Sequence, residues 1–206
     1  MDRRWYYRVM GKIRDAARTR TKIMEAARDE FAAHGLAGAR IEAIARRAGL
    51  SKQLLYHYFP SKEALFQEIL EHKFGQLLVS PPDEKGPGAL FRQRFASAAV
   101  DPVWVRFMTW EAAERAAEGE IAAEAQRRAS LARGAELIAA QQAEGVLPAE
   151  LPTELLQLAI HALALYPLGF PQMTRMITGK VPTDPEFQAE WAAFLDDLAR
   201  RIVRED

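Results

Sequence analysis

The chain has 206 residues, enough for one or two domains at roughly 100–200 residues each. Hydrophobic residues make up 49% and charged residues 27%, an ordinary globular composition that argues against a disordered chain. Cysteine is absent, which excludes disulfides, thiol catalysis and Cys-ligated metal centres and is compatible with a cytoplasmic protein, while Lys plus Arg and Asp plus Glu both number 28, so net charge alone argues for neither nucleic acid nor membrane as partner.

Residues 1–12 are basic and aromatic and lack the apolar stretch of a secretory signal. Arg3, Arg4, Arg8, Lys12, Arg14, Arg18 and Arg20 form an extension that reads as a basic arm beside DNA, as an extended first helix, or as a solvated terminus. Ile23, Ala27 and Phe31 recur every four residues and predict a helix stopped by Gly35. A short helix follows over 41–48, with Ile41, Ile44 and Ala45 inward and Gly49 ending it in the left-handed conformation. Ser51 caps a helix over 52–59, Pro60 stops it, and Ser61 caps another over 62–78. Pro and Gly residues at 80–88 break the pattern as a linker. Beyond it, helices are expected at 88–99, 102–117, 120–144, 153–166 and 185–204, with Asp101 and Asp184 as N-caps before first-turn prolines. Residues 167–182 read as a connection with a short helix near 172–178. The uncharged run 155–174 is interrupted by Gln157, His161, Pro167, Gly169 and Pro171, which favours a buried helix and a broken connection over a membrane span. The expected fold class is all-α.

Helix, tight turn, helix over 41–59 is the central signal. Ala45 is small, so the two helices can cross closely, and Leu50, Leu55 and Phe59 can seal the crossing against Ile44 and Phe31. In such a unit the second helix enters a major groove. Lys52 and Gln53 stand in its first turn, where Lys reaches guanine acceptors and Gln pairs with adenine. Tyr56, His57 and Tyr58 can bond phosphates or stack on sugars, and Lys62 begins the next helix at a site that favours phosphate. Leu54 and Tyr58 serve equally well as packing.

The stretch from Ile41 to Leu65, IEAIARRAGLSKQLLYHYFPSKEAL, resembles the signature of TetR-family (tetracycline-repressor-like) transcriptional regulators, and Ile23–Gly35 resembles their first helix. The resemblance covers about residues 18–75. It implies an all-α homodimer on a palindromic double-stranded DNA operator. A three-helix DNA-binding domain, expected here over 1–62, would join a larger ligand-binding and dimerisation domain over 63–206. Lys52, Gln53, Leu54, Tyr56, His57 and Lys62 match the family's DNA-contact positions. Ala39-Arg40 departs from it, because a Thr or Ser often stands before the second helix; Arg40 can replace the phosphate contact but not the hydroxyl cap.

In the family the effector cavity lies among helices of the larger domain. Trp104, Phe107, Met108, Trp110, Glu111, His161, Tyr166, Phe170 and Met173 are the candidate lining residues for an unidentified small molecule; ordinary core packing is the competing reading for the aromatics and an ion pair for Glu111. Leu155, Leu158, Ala162, Phe187, Trp191, Phe194, Leu195, Leu198 and Ile202 form apolar stripes for a four-helix interface between two copies. A regulator of the same fold that needs no ligand is the alternative. An enzyme gains no support, since no HExxH, GxSxG or phosphate-cradling glycine loop is present, and no cofactor or metal is expected. Split at the motif, the neutral total resolves: residues 1–62 hold 14 Lys and Arg against 6 Asp and Glu, while 63–206 hold 14 against 22. The basic end suits phosphate and the acidic remainder is repelled by it.

Overall fold

A run rich in Ala, Leu, Glu and Arg, with no sustained two-residue alternation, forms helices throughout. The computed structural model describes residues 3–76, 86–114, 119 and 121–202, with the side chains of 3–14 outside the description. Among the described residues there are ten helices and no strand: α1 (Arg3–Gly38), α2 (Ile41–Ala48), α3 (Lys52–Tyr58), α4 (Lys62–Gln76), α5 (Ala89–Ala99), α6 (Pro102–Glu114), α7 (Glu124–Ala143), α8 (Thr153–Gly169), α9 (Pro171–Thr178) and α10 (Pro185–Ile202). Most of the expected linker, 80–85, lies outside the described residues, as do the last positions of the helices expected over 62–78, 102–117 and 185–204 and the first of that over 120–144.

The capping chemistry expected from sequence is in place. Ser51 Oγ accepts from the Leu54 N–H (3.2 Å) and Ser61 Oγ from that of Ala64 (3.0 Å). Asp101 Oδ1 accepts from Trp104 (3.1 Å) and Asp184 Oδ1 from Glu186 (2.9 Å). Gly49 is left-handed (φ 72°, ψ 35°), and the Leu50 N–H returns to the Ala45 carbonyl (2.9 Å).

Three boundaries differ from expectation: α7 begins at Glu124 rather than 120, after a turn at 121–123 in which Ala123 has φ 54°, and the other two have a local reason. Gly35 (φ 69°, ψ 179°) kinks α1 instead of ending it. Glu114 Oε2 accepts from the N–H groups of Leu36 (2.9 Å) and Ala37 (3.3 Å), so a carboxylate caps the restarted turn. Helix α8 runs through Pro167 to Gly169 rather than stopping at 166. Proline lacks an N–H, which leaves the Leu163 carbonyl without its helical donor. The Trp191 indole N–H supplies the missing bond (3.2 Å), and Thr174 Oγ1 donates to the Pro167 carbonyl (2.9 Å).

The chain divides into two compact units that do not coincide with a boundary at 62. The first joins Met1–Lys73 with Arg106–Ala123; the second joins Phe74–Val105 with Glu124–Asp206. Aromatic packing explains why most of α4 and most of α6 stay with the helix-turn-helix. Phe66 stacks on Phe107 (centroids 4.8 Å apart, 15° between planes), and Phe31 meets both rings edge-on. In the second unit α5 packs on α8 and α10, and α7 packs on α8. Its core includes Leu90, Phe91, Phe95, Ile138, Leu156, Ile160, Phe187 and Leu195.

Candidate functional site

Alternation along α3 separates anchor from display. Leu55 and Phe59 are buried and fix the helix and its end, while Lys52, Gln53, Leu54, Tyr56 and His57 are all exposed. Tyr58 is half-buried, its ring edge-on to His57 (5.7 Å). Arg40, Lys52, Tyr56 and Lys62 line one shallow open cleft with Glu42 and Glu63, so four of the expected contact residues converge. Lys52 Nζ bonds Glu42 Oε1 and lies 5.9 Å from the Tyr56 ring centroid. This pairing holds the Glu42 carboxyl below its ordinary range and raises the Lys52 ammonium, so both are charged at neutral pH. Both side chains remain open to solvent, so the pair contributes little to stability.

Two residues read from sequence as DNA-facing cations have a structural task. Lys62 Nζ donates to the carbonyls of Ala37 (3.2 Å) and Ala39 (3.3 Å), closing the C-terminal end of α1. Arg20 pairs with Glu68, donates to the Tyr58 carbonyl (3.4 Å) and lies over the Phe59 ring at 4.5 Å. It therefore steadies the end of α3. The α1 backbone is helical back to Arg3, while the side chains of Arg3, Arg4, Arg8, Lys12 and Arg14 lie outside the described residues. Arg40 precedes α2 without a side-chain cap; its N–H donates instead to Glu30 Oε1 (3.3 Å), a buried carboxylate that sequence reasoning passed over.

The candidate effector residues divide between the two units. Phe107, Met108, Trp110 and Glu111 belong to the first unit, and Trp104, His161, Tyr166, Phe170 and Met173 to the second. Phe107 is spent on the aromatic cluster of the first unit. Glu111 is buried and Trp110 partly exposed. Trp104 is edge-on to Phe74 at 5.9 Å. Tyr166, Phe170 and Met173 lie exposed with Leu165, Met176 and Ile177 on α8, α9 and the residue that joins them. Of the expected interface stripe, Leu155, Leu158, Ala162, Phe194 and Ile202 are exposed and Trp191 and Leu198 half-buried. Phe187 and Leu195 are corrected to core: they are 4% and 0% exposed, packed within their own protomer.

One cluster in the second unit was only partly legible. His161 Nδ1 bonds the Gln157 carbonyl (2.8 Å), and Gln157 Nε2 donates to the Leu131 carbonyl (2.9 Å). Burial pushes the imidazole below the ordinary histidine value, the carbonyl bond opposes that shift, and the charge of Arg94 adds to it. Arg94 is half-buried, and desolvation lowers its guanidinium as well. The sequence held a signal for Arg94: its α5 neighbours three and four positions away are Leu90, Phe91, Ser97 and Ala98, none of them acidic.

Comparison with known proteins converges on one family. Residues 23–69 match the family model for bacterial regulatory proteins of the tetR family, and residues 90–201 match that for a tetracyclin repressor-like C-terminal domain. The HTH-type transcriptional repressor SCO4008 of Streptomyces coelicolor is 35% identical over 167 residues, covering 81% of this chain and 86% of the relative. The HTH-type transcriptional repressor NicS of Pseudomonas putida is 28% identical over 205 residues, covering 94% and 96%. Among solved structures, that of a transcriptional regulator from Streptomyces coelicolor, SCO4942, superposes with a TM-score of 0.70 at 27% identity, covering 87% of this chain and 97% of the other.

Proposed function

The chain belongs to the TetR family of bacterial transcriptional regulators, and from that membership we propose that it is a homodimeric repressor released from a palindromic operator by a small molecule held in its second unit. The observation that carries the reading is the display on α3. Buried Leu55 and Phe59 hold the helix, and five side chains able to touch bases or backbone stand exposed beside the Arg40 cleft. The two relatives compared over most of the chain are named as repressors, which supports the sign of regulation.

Dimerisation is supported by the exposed apolar stripes of α8 and α10, since a row such as Leu155, Leu158 and Ala162 is unusual on a solvated helix. Two-fold symmetry then presents two α3 helices about 34–36 Å apart, one turn of DNA, or at a multiple of that spacing. Coupling to a ligand has a covalent route. Helices α4 and α6 each run from one compact unit into the other, so a shift of either helix in the second unit is carried into the first. A ligand that binds better to the displaced state lowers operator affinity by its differential affinity for the two states.

The test is selection of binding sites from random DNA with the full chain, then anisotropy titration of the selected palindrome at fixed salt. The reading expects a two-fold symmetric site and saturable binding by a dimer. Selection of no consensus, or of an asymmetric site bound by a monomer, overturns it.

A further inference from the structure

We propose that Arg94 and His161, with Gln157 and Gly134 beside them, form an anion-binding head site between α5, α7 and α8, and that it takes the carboxylate of a small organic acid with an apolar body. This inference rests on the reading of the second unit as the effector-binding unit.

Three observations meet here. First, Arg94 is partly withdrawn from water, and among the described residues no carboxylate, carbonyl or aromatic ring partners its guanidinium. A partly desolvated cation without a counter-charge gains from an anion, and arginine's planar fork matches a carboxylate in two parallel bonds. Second, His161 stands close enough to feel that charge. Its Nδ1 is committed to the Gln157 carbonyl, which fixes the ring and leaves Nε2 without a partner among the described residues. Both groups gain from the same anion: Arg94 obtains a counter-charge, and His161 can take up a proton and donate from Nε2.

Third, α7 makes room for these side chains at a cost. Gly134 lies inside the 20-residue helix α7, where glycine is less favourable than alanine. A Cβ there would stand 2.6 Å from Gln157 Nε2 and 3.5 Å from an Arg94 nitrogen, so glycine preserves this cluster. The helices that carry Arg94 and His161 also supply Leu90, Phe91, Ile160 and Ala164 to the apolar core, with Leu163 packed against it. A cationic head beside apolar walls selects a ligand with one acidic end and a hydrocarbon or aromatic remainder.

The experiment uses the full-length protein and matched probes: hexanoate, octanoate, benzoate and phenylacetate, each against its uncharged amide. Thermal unfolding and tryptophan fluorescence report binding, and operator anisotropy is read in the same samples. At least one acid is expected to raise the wild-type Tm while its amide does not. Arg94→Met is expected to weaken that acid about 10- to 100-fold, with Arg94→Lys in between. Without ligand, Arg94→Met is expected to match or exceed the wild-type Tm, because it removes an unpaired desolvated charge. The proposal is overturned if no acid in the set binds, if amides bind as well as acids, if Arg94→Met binds the acid undiminished, or if Arg94→Met lowers the Tm of the free protein as a structural arginine would. Acid binding through Arg94 with unchanged operator affinity supports the anion site and removes the effector reading. Operator release by an uncharged compound, equal in wild type and Arg94→Met, keeps the effector reading and overturns the anion site.

Discussion

Residue types with the same charge do different work once their neighbours are fixed. Lys52 and His57 are displayed to solvent, whereas Arg20 and Lys62 hold the frame behind them. Lys52→Ala or His57→Ala is expected to weaken operator binding several-fold while far-UV dichroism and the dimer stay unchanged; undiminished affinity at fixed salt removes α3 as the reader. Gly35 combines a left-handed φ with a near contact, since a Cβ there would overlap the Glu114 carboxylate that caps Leu36 and Ala37. Gly35→Ala is therefore expected to cost about 1–3 kcal/mol, read from urea unfolding. His161 adds a pH dependence whose sign follows from its environment. The chief cause is burial, helped by the positive charge of Arg94, and the folded imidazole loses its proton below the ordinary 6.5. As pH falls below 6.5 the unfolded chain takes up this proton before the folded one does, so the contribution is present above 6.5 and is lost as pH falls through the lower folded value. His161→Gln is expected to flatten that part of the stability profile, measured by urea midpoints on either side of 6.5.

Elements were legible where a local chemical signal bounds them. Ser51, Ser61, Asp101 and Asp184 announce helix starts through side-chain acceptors only a few residues away, and the structure uses all four. Ends set by distant groups were not legible. Pro167 reads as a stop, yet α8 passes through it because Trp191, on α10, bonds the freed Leu163 carbonyl. Trp191→Phe keeps the ring and removes the donor, leaving that carbonyl unsatisfied, for an expected loss of about 1–3 kcal/mol. In a Pro167→Ala background the new backbone N–H reaches Leu163, so the same substitution should cost less. An equal cost in both backgrounds, measured as a double-mutant cycle, separates Trp191 from the proline.

At the scale of the whole molecule, charge and apolar surface are segregated. The first 62 residues carry the excess of Lys and Arg, and the exposed apolar residues of α8, α9 and α10 lie in the other unit. Truncation before Asp184 is a poor probe of assembly, because it removes Phe187 and Leu195 from the core as well as Phe194 from the surface. Leu158→Glu is the cleaner change. Leu158 is 66% exposed, so the protomer should fold unchanged while sedimentation shows monomer in place of dimer. Operator affinity should fall with it, since one half-site then binds alone. A Leu158→Glu dimer of wild-type strength excludes this face of α8 from the interface.

The sequence by itself determined the helical class, the helix-turn-helix, the family and the opposite net charges of residues 1–62 and 63–206. Those depend on periodicity, caps and side-chain chemistry written within a few residues of one another. Tertiary structure alone decided which cations stand exposed and which brace α1, that Phe187 and Leu195 are core, that most of α6 keeps company with the helix-turn-helix, and that Arg94 and Gln157 meet at Gly134. Each of these is a contact between residues far apart in the chain. A helical pattern states which face of a helix is apolar, but the partner for that face is chosen only when the helices pack.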